Sequence, residues 1–154
     1  MDDFILARVL HVLAIVAWIG GVAFVTTVLM PAIRKANPPG ERLAAFHRVE
    51  LGFARQVRFW VALAGLSGFW MAYRADMWDR FADPHYWWMH AMLGLWLVFA
   101  VMLYLVEPPF LHRRMEHSAD PARDFARMER MHRIMLALAA VTVLGAVAGS
   151  HGLI

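Results

Sequence analysis

Four long apolar runs dominate this chain, and they restrict its fold more than any other feature. A helix needs about 20 apolar residues to cross the hydrocarbon core of a bilayer, and it bonds its backbone polar groups internally. The runs cover about residues 4–30, 57–73, 86–106 and 131–150, and the first ends at Pro31. The sequence therefore predicts an all-α integral membrane protein, a four-helix bundle that forms a single transmembrane domain over residues 1–154.

The composition supports contact with lipid. Hydrophobic residues make up 61% of the chain and charged residues 18%, whereas soluble domains are usually about 45–50% apolar and about 25% charged. An ordinary core cannot absorb this excess of apolar surface, so the lipid bilayer is the first expected partner. The chain contains no cysteine, which excludes disulfides, thiolate metal sites and thiol nucleophiles.

Basic residues are distributed unevenly between the apolar runs. Only Arg74 and Arg80 lie between the second and third runs, and none follows the fourth. Six lie between the first and second runs or at the start of the second, and six lie between the third and fourth runs or at the start of the fourth: Arg34, Lys35, Arg42, Arg48, Arg55 and Arg58, then Arg113, Arg114, Arg123, Arg127, Arg130 and Arg133. Basic connections stay in the cytoplasm, so we expect both termini outside, N-out/C-out, in the inner (cytoplasmic) membrane. No nucleic-acid partner is expected, because no basic patch is interleaved with aromatic residues.

Small residues recur at helical spacing in the first and fourth runs. Gly145 and Gly149 are four residues apart, as are Ala17 and Gly21. Small side chains at this spacing let helix backbones approach closely. We expect them to pack helices within the bundle, and the alternative is a homodimer through Gly145 and Gly149.

Two of the eight histidines, His11 and His90, lie well inside apolar runs. On the predicted topology, His11 lies about 10 Å and His90 about 6 Å below the outer helix ends, at 1.5 Å per residue. Ionisable groups inside a span are costly and usually functional. The two imidazoles are therefore predicted to face each other in the outer leaflet. The alternative is that each imidazole bonds a backbone carbonyl or a nearby hydroxyl.

Imidazoles on facing helices suit a haem iron, which takes axial histidine ligands, and bundle cores hold such cofactors. The predicted cofactor is haem b, with His11 and His90 as the metal ligands. Trp18 follows His11 by seven residues on nearly the same helix face, and is predicted to line the haem slot. Arg8 is the nearest basic partner for the haem propionates.

A second histidine group lies on the predicted cytoplasmic side. His132 opens the fourth run, and His47 lies in the amphipathic stretch before the second. The two are candidates for a second haem site, which would create an electron path across the membrane; the alternative is that they are idle interfacial residues. Four histidines remain as accessory candidates: His112 and His117 in the cytoplasmic connection, and His85 and His151 at the outer surface.

Copper is the competing cofactor. Eleven methionines are many for a chain of 154 residues, and thioether sulfur suits Cu(I). Met89, His90 and Met92 cluster in the third run. In the fourth run, four residues share one helical face: Met128, Met131, His132 and Met135. The alternative is that these methionines are ordinary apolar filler.

Two segments resemble known membrane-protein families. Residues 10–21, LHVLAIVAWIGG, resemble the opening of CopD-like and HemJ-like proteins: a histidine, a tryptophan seven residues later, small residues and then a proline, here Pro31. Residues 88–93, WMHAML, resemble the start of the third HemJ span. The HemJ resemblance implies haem b and oxidation of protoporphyrinogen, with His11 as the first-span ligand. The CopD resemblance implies copper uptake or resistance.

Two positions depart from the HemJ pattern. Met92 stands where that family usually has a lysine in the third span. Ala32 follows Pro31 where the family usually has an arginine.

Three functions are carried forward. The first is a haem-b-binding membrane protein of oxidoreductase or electron-transfer type, which exchanges electrons with a quinone or another redox partner. The second is a copper-handling membrane transport protein with methionine and histidine ligands, and the third is a structural membrane subunit without haem. The sequence contains no phosphate loop, nucleotide-binding glycine fingerprint or serine triad, and it predicts no catalytic residue.

Overall fold

The computed structural model describes residues 2–105 and 118–153, and this part of the chain is helical without strands. Its α-helices are α1 (Asp2–Phe24), α2 (Met30–Ala36), α3 (Arg42–Arg74), α4 (Trp87–Val101) and α5 (Pro121–Ser150). Shorter segments join them: a π-helical turn at Val25–Leu29 and 3-10 turns at Pro39–Glu41, Trp78–Ala82 and Pro84–Tyr86. The all-α prediction is therefore confirmed for the described residues.

Within residues 2–105 and 118–153, three helices are long and apolar enough to cross a membrane: Asp2–Ala36, Pro84–Leu105 and Pro121–Ser150. They contain the first and fourth predicted spans and residues 86–105 of the third, as expected of a multi-pass membrane protein. The second predicted span, residues 57–73, is helical and lies within α3. In the described part of the chain, however, α3 is not apolar enough over a membrane-spanning length to count as a fourth such helix. The physical reason is that Arg58 and Arg74 limit its apolar stretch at both ends.

The first helix continues through Pro31 to Ala36 instead of ending at the proline. A proline removes a backbone donor, and its ring crowds the carbonyl four residues earlier, here that of Thr27. The π-helical turn Val25–Leu29 lies at this point and widens the helix. The hydroxyls of Thr26 and Thr27 each donate to the carbonyl four residues earlier, at 2.7 Å. The wider turn thus accommodates the proline without a break.

α3 is the helix against which the others pack, since it contacts α1, α2, α4 and α5. Val57, Val61 and Ala64 of α3 are buried together with Ala14 and Trp18 of α1. Apolar surface removed from solvent stabilises a fold by roughly 25 cal/mol per Å². The α1–α3 pair therefore forms the centre of the structure.

Among the described residues, three hydrogen bonds join α3 to the helix that begins with α4. The indole N–H of Trp96 donates to the Val61 carbonyl at 2.9 Å, and Nε of Arg58 donates to the Leu103 carbonyl at 3.0 Å. The Tyr104 hydroxyl donates to the Arg58 carbonyl at 2.6 Å. Each bond satisfies a polar group that hydrocarbon would leave unpaired. These bonds therefore fix α3 against α4, although α3 is not one of the three membrane-spanning candidates.

A second core lies at the other end of the molecule, where α2, α3 and α5 meet. Phe46 of α3 is buried against Phe125 of α5, with ring centroids 6.4 Å apart. Glu129 of α5 is also buried, and its carboxylate pairs with Arg133 at 2.5 Å and with Arg34 of α2 at 3.4 Å. Because a buried charge requires such partners, these ion pairs link α2 to α5.

The indole rings of Trp87 and Trp88 on α4 pack against Gly145 and Gly149 of α5. An added Cβ at Gly145 would lie 2.4 Å from Trp87 Cη2, and one at Gly149 would lie 2.3 Å from Trp88 Cε2. Real side chains do not approach this closely, so only glycine leaves room for the rings. Both glycines therefore pack against α4 of the same chain, as the first of the two alternatives expected.

Candidate functional site

A cavity of about 150 Å³ lies between α1, α3 and α4. Five of its lining residues carry nitrogen or sulfur donors of the type that soft metals prefer: His11, Met71, Met77, Met89 and Met92. Most of the remaining lining is apolar and includes Phe69, Phe81, Leu93 and Trp96. Small-molecule sites usually measure about 300–1,000 Å³, so this cavity lies below their usual size.

His11 is held in one orientation by α3. Its Nδ1 lies 2.9 Å from the Ala64 carbonyl oxygen and 3.2 Å from the Ser67 hydroxyl. A carbonyl only accepts, so Nδ1 carries the proton and Nε2 keeps its lone pair. The carbonyl bond matches the alternative that the sequence left open. It is also the bond that a metal-binding histidine makes with its other nitrogen.

Gly68 lets the His11 ring approach α3. An added Cβ at Gly68 would lie 3.1 Å from His11 Cε1, which is tighter than nearly all real Cβ contacts. The absence of a side chain at this position therefore allows the imidazole to reach the Ala64 carbonyl.

The four cavity methionines come from three parts of the chain. Met71 is on the last turns of α3, Met77 follows that helix, and Met89 and Met92 are three residues apart on α4. All four are half-buried. The sequence pattern singled out Met89 and Met92 but missed Met71 and Met77. The only sequence feature that could have identified Met71 and Met77 is their position near the connection between the second and third apolar runs.

His90 makes its own contacts with the preceding connection. Its Nε2 lies 2.9 Å from the Phe81 carbonyl oxygen and its Nδ1 lies 3.3 Å from that of Tyr86. Its ring stands edge-on to Phe81, and the residue is exposed. Among the described residues that line the cavity, His90 is absent. The structure therefore does not bring His90 and His11 to one cavity.

Trp18 and Arg8 also lie away from the cavity lining. Trp18 is 2% exposed and packs edge-on against Phe99, with ring centroids 5.0 Å apart. Its indole N–H has no acceptor among the described residues. Arg8 is exposed on α1. Trp18 therefore belongs to the α1–α3 core in this structure.

The cytoplasmic candidates His132 and His47 contact different partners. Nδ1 of His132 lies 3.0 Å from the Met128 carbonyl oxygen, and its ring centroid lies 5.8 Å from that of Phe46. Nε2 of His47 lies 3.8 Å from a carboxylate oxygen of Glu50. Both histidines are half-buried. His112 and His117 fall outside the described residues.

The two outer accessory histidines are exposed. His151 Nδ1 lies 2.8 Å from the Val147 carbonyl oxygen, and the His85 ring stands edge-on to Trp88. The described residues contain no cluster of three or more histidine, aspartate or glutamate side chains placed for a metal ion. Methionine sulfur beside His11 is thus the donor set that the described cavity offers.

Comparison with protein-family models, with curated proteins and with solved structures gave no match. The resemblance to CopD-like and HemJ-like proteins stays a prediction from the two sequence segments.

Proposed function

We propose that this protein binds Cu(I) in the cavity beside His11 and handles copper within the membrane. The observation that supports this function is the donor set: one imidazole with a free Nε2 and the thioethers of Met71, Met89 and Met92 on α3 and α4, around a cavity of about 150 Å³. Thioether sulfur selects Cu(I) among common metals, and imidazole binds copper in either oxidation state. The low polarity of the lining also favours a monovalent ion over a divalent one, because the desolvation cost rises with charge.

The proposal includes a four-helix bundle with N-out/C-out orientation. α3 contributes the fourth helix, supported by its central packing and by its hydrogen bonds from Trp96 and Tyr104. The orientation rests on the basic connections, which the positive-inside rule keeps in the cytoplasm. With that orientation the cavity lies near the outer side, because its lining includes the end of α3 and the start of α4.

Binding of haem b is the second candidate. His11 favours it, because an axial histidine also needs a fixed Nδ1–H and a free Nε2. Met92 would then be the second ligand offered by the cavity, with a redox partner such as a quinone. The cavity is smaller than usual cofactor sites. A single ion fits this volume more readily than haem, and Cu(I) therefore comes first.

Competition with a chromophoric Cu(I) chelator tests the proposal on the purified protein in nanodiscs under anaerobic conditions. We expect about one Cu(I) per chain, and His11→Ala or Met92→Leu should weaken binding by about tenfold or more, the usual cost of losing a metal-site interaction. Met128→Leu, in the core at the other end, is the matched control and should bind normally. A Soret band in the purified protein would instead favour haem. Absence of both copper and haem binding would leave a structural subunit.

A further inference from the structure

We infer that the cavity opens through the connection after α3, and that Met77 is the first donor to capture a soft monovalent cation there. This inference rests on the proposed function, because it assumes that the cavity binds such a cation. Met77 and Phe81 are the two described lining residues that come from this connection, whereas the others lie on α1, α3 or α4. Both line the cavity and are half-buried, so each keeps part of its surface accessible.

The backbone at the end of α3 fixes Met77 over the cavity. Asp76 has φ +47°, and the Met77 N–H donates to the Ala72 carbonyl at 3.0 Å while the Asp76 N–H donates to the Tyr73 carbonyl at 3.4 Å. These two bonds form a Schellman motif, in which the residue after the left-handed position folds back on the last helical turn. Met71 and Ala72, on that turn, line the same cavity as Met77. The position of Met77 is therefore a consequence of helix termination.

Acidic residues surround this mouth. We call the start of α1, the end of α3 and residues 75–86 the acidic end. Asp76 and Asp79 are exposed on either side of Met77, and Asp83 is exposed nearby. Five carboxylates outnumber three arginines at this end: Arg74 pairs with Asp3, the Arg80 guanidinium lies 5.1 Å from the Tyr86 ring centre, and Arg8 is exposed on α1.

The other end of the molecule has the opposite charge. Arg34, Lys35, Arg48, Arg55 and Arg127 are exposed there. A charged surface of one sign raises the local concentration and association rate of ions of the other sign. A cation therefore approaches the acidic end, where Met77 is the cavity methionine that comes from the connection itself. His11 lies about 12 Å along α1 from Asp3 at 1.5 Å per residue.

Stopped-flow mixing with silver nitrate tests this inference on the full chain in chloride-free nanodiscs. Ag(I) is a redox-stable soft monovalent probe, and quenching of Trp96 in the cavity wall reports its arrival. We expect Met77→Leu to lower the association rate by about tenfold while equilibrium dialysis still gives the wild-type stoichiometry. Asp76→Asn keeps a residue that tolerates positive φ and should slow association at low salt. This effect should vanish in 1 M sodium nitrate, where the Debye length is about 3 Å. Met128→Leu should match the wild type.

The outcomes separate the inference from the proposed function. If the wild type binds Ag(I) and both variants associate at the wild-type rate, the mouth is elsewhere and the inference is wrong, while the proposed function stands. If Met77→Leu loses bound Ag(I) at equilibrium, Met77 is a permanent ligand, which also overturns the inference. If the wild type binds neither Ag(I) nor Cu(I), both fall.

Discussion

His11 illustrates how a polar side chain is tolerated in an apolar helix. An imidazole in hydrocarbon without a hydrogen-bond partner costs several kcal/mol, roughly 2–7 by transfer scales. The Ala64 carbonyl, 2.9 Å from Nδ1, offsets that cost and fixes the tautomer. The second nitrogen is then the free basic group of the cavity. One backbone carbonyl thus serves both stability and the chemistry that we propose.

Gly68 provides a test at the scale of one residue. Gly68→Val places a side chain where a Cβ would already lie 3.1 Å from the His11 ring. We expect unfolding to become easier by about 1–3 kcal/mol, as for other overpacked sites, and Cu(I) affinity to fall because the ring is displaced. Gly52→Val in the same helix is the control, since nothing lies within 4 Å of its added Cβ. Equal unfolding of both variants, measured by thermal denaturation in detergent, would contradict this role.

The sequence predicted the positions of the helices better than it predicted any other feature of the structure. Long apolar runs identified three helices able to cross a membrane, because lipid demands length and apolarity. The amphipathic stretch and the second run proved to be one helix, Arg42–Arg74, which the change in hydropathy near Arg55 had hidden. The passage through Pro31 depends on a π-helical turn that no residue pattern specified.

The candidate site was less predictable than the helices. The sequence identified His11 and its approximate depth, but its partner is the backbone carbonyl of Ala64, and every residue has a carbonyl. The expected pairing with His90 also depended on helix rotation. In the structure, the ring nitrogens of His90 lie within hydrogen-bond distance of the Phe81 and Tyr86 carbonyl oxygens instead.

The α4–α5 contact gives a prediction at the same scale. Gly149→Ala should lower stability by about 1–3 kcal/mol, because its Cβ would lie 2.3 Å from Trp88 Cε2. Gly94→Ala in α4 has open space around its Cβ and should be neutral, or more stable by about 0.5–1 kcal/mol from helix propensity alone. Titration with a denaturing detergent measures both. Unchanged stability of Gly149→Ala together with loss of a cross-linked dimer would show that the glycines face a second copy.

Charge distribution sets the properties of the whole molecule. One end of the molecule is acidic and the opposite end is basic. By the positive-inside rule this charge asymmetry would orient the protein in the membrane, and it would attract cations to the acidic end. The exposed apolar residues between these ends, such as Val16, Leu66 and Leu144, are suited to lipid contact. The predicted orientation and the proposed access from outside are thus connected.

Reporter fusions test that orientation. A reporter active only in the cytoplasm should be silent when fused after Ile154 and active when inserted near Asn37, because the basic connections remain inside. Asn37 follows α2 in an irregular stretch, so an insertion there leaves the flanking helices intact. The reverse pattern would place the acidic end in the cytoplasm and make the proposed cation access an internal one.

Copper K-edge X-ray absorption of the Cu(I)-loaded protein tests the central claim most directly. We expect a Cu(I) edge with sulfur scatterers and one imidazole nitrogen, because His11 Nε2 and the cavity thioethers are the donors. His11→Ala should remove the imidazole signal, and Met92→Leu should reduce the sulfur contribution. A spectrum with nitrogen and oxygen scatterers alone, unchanged in both variants, would contradict a copper site in this cavity.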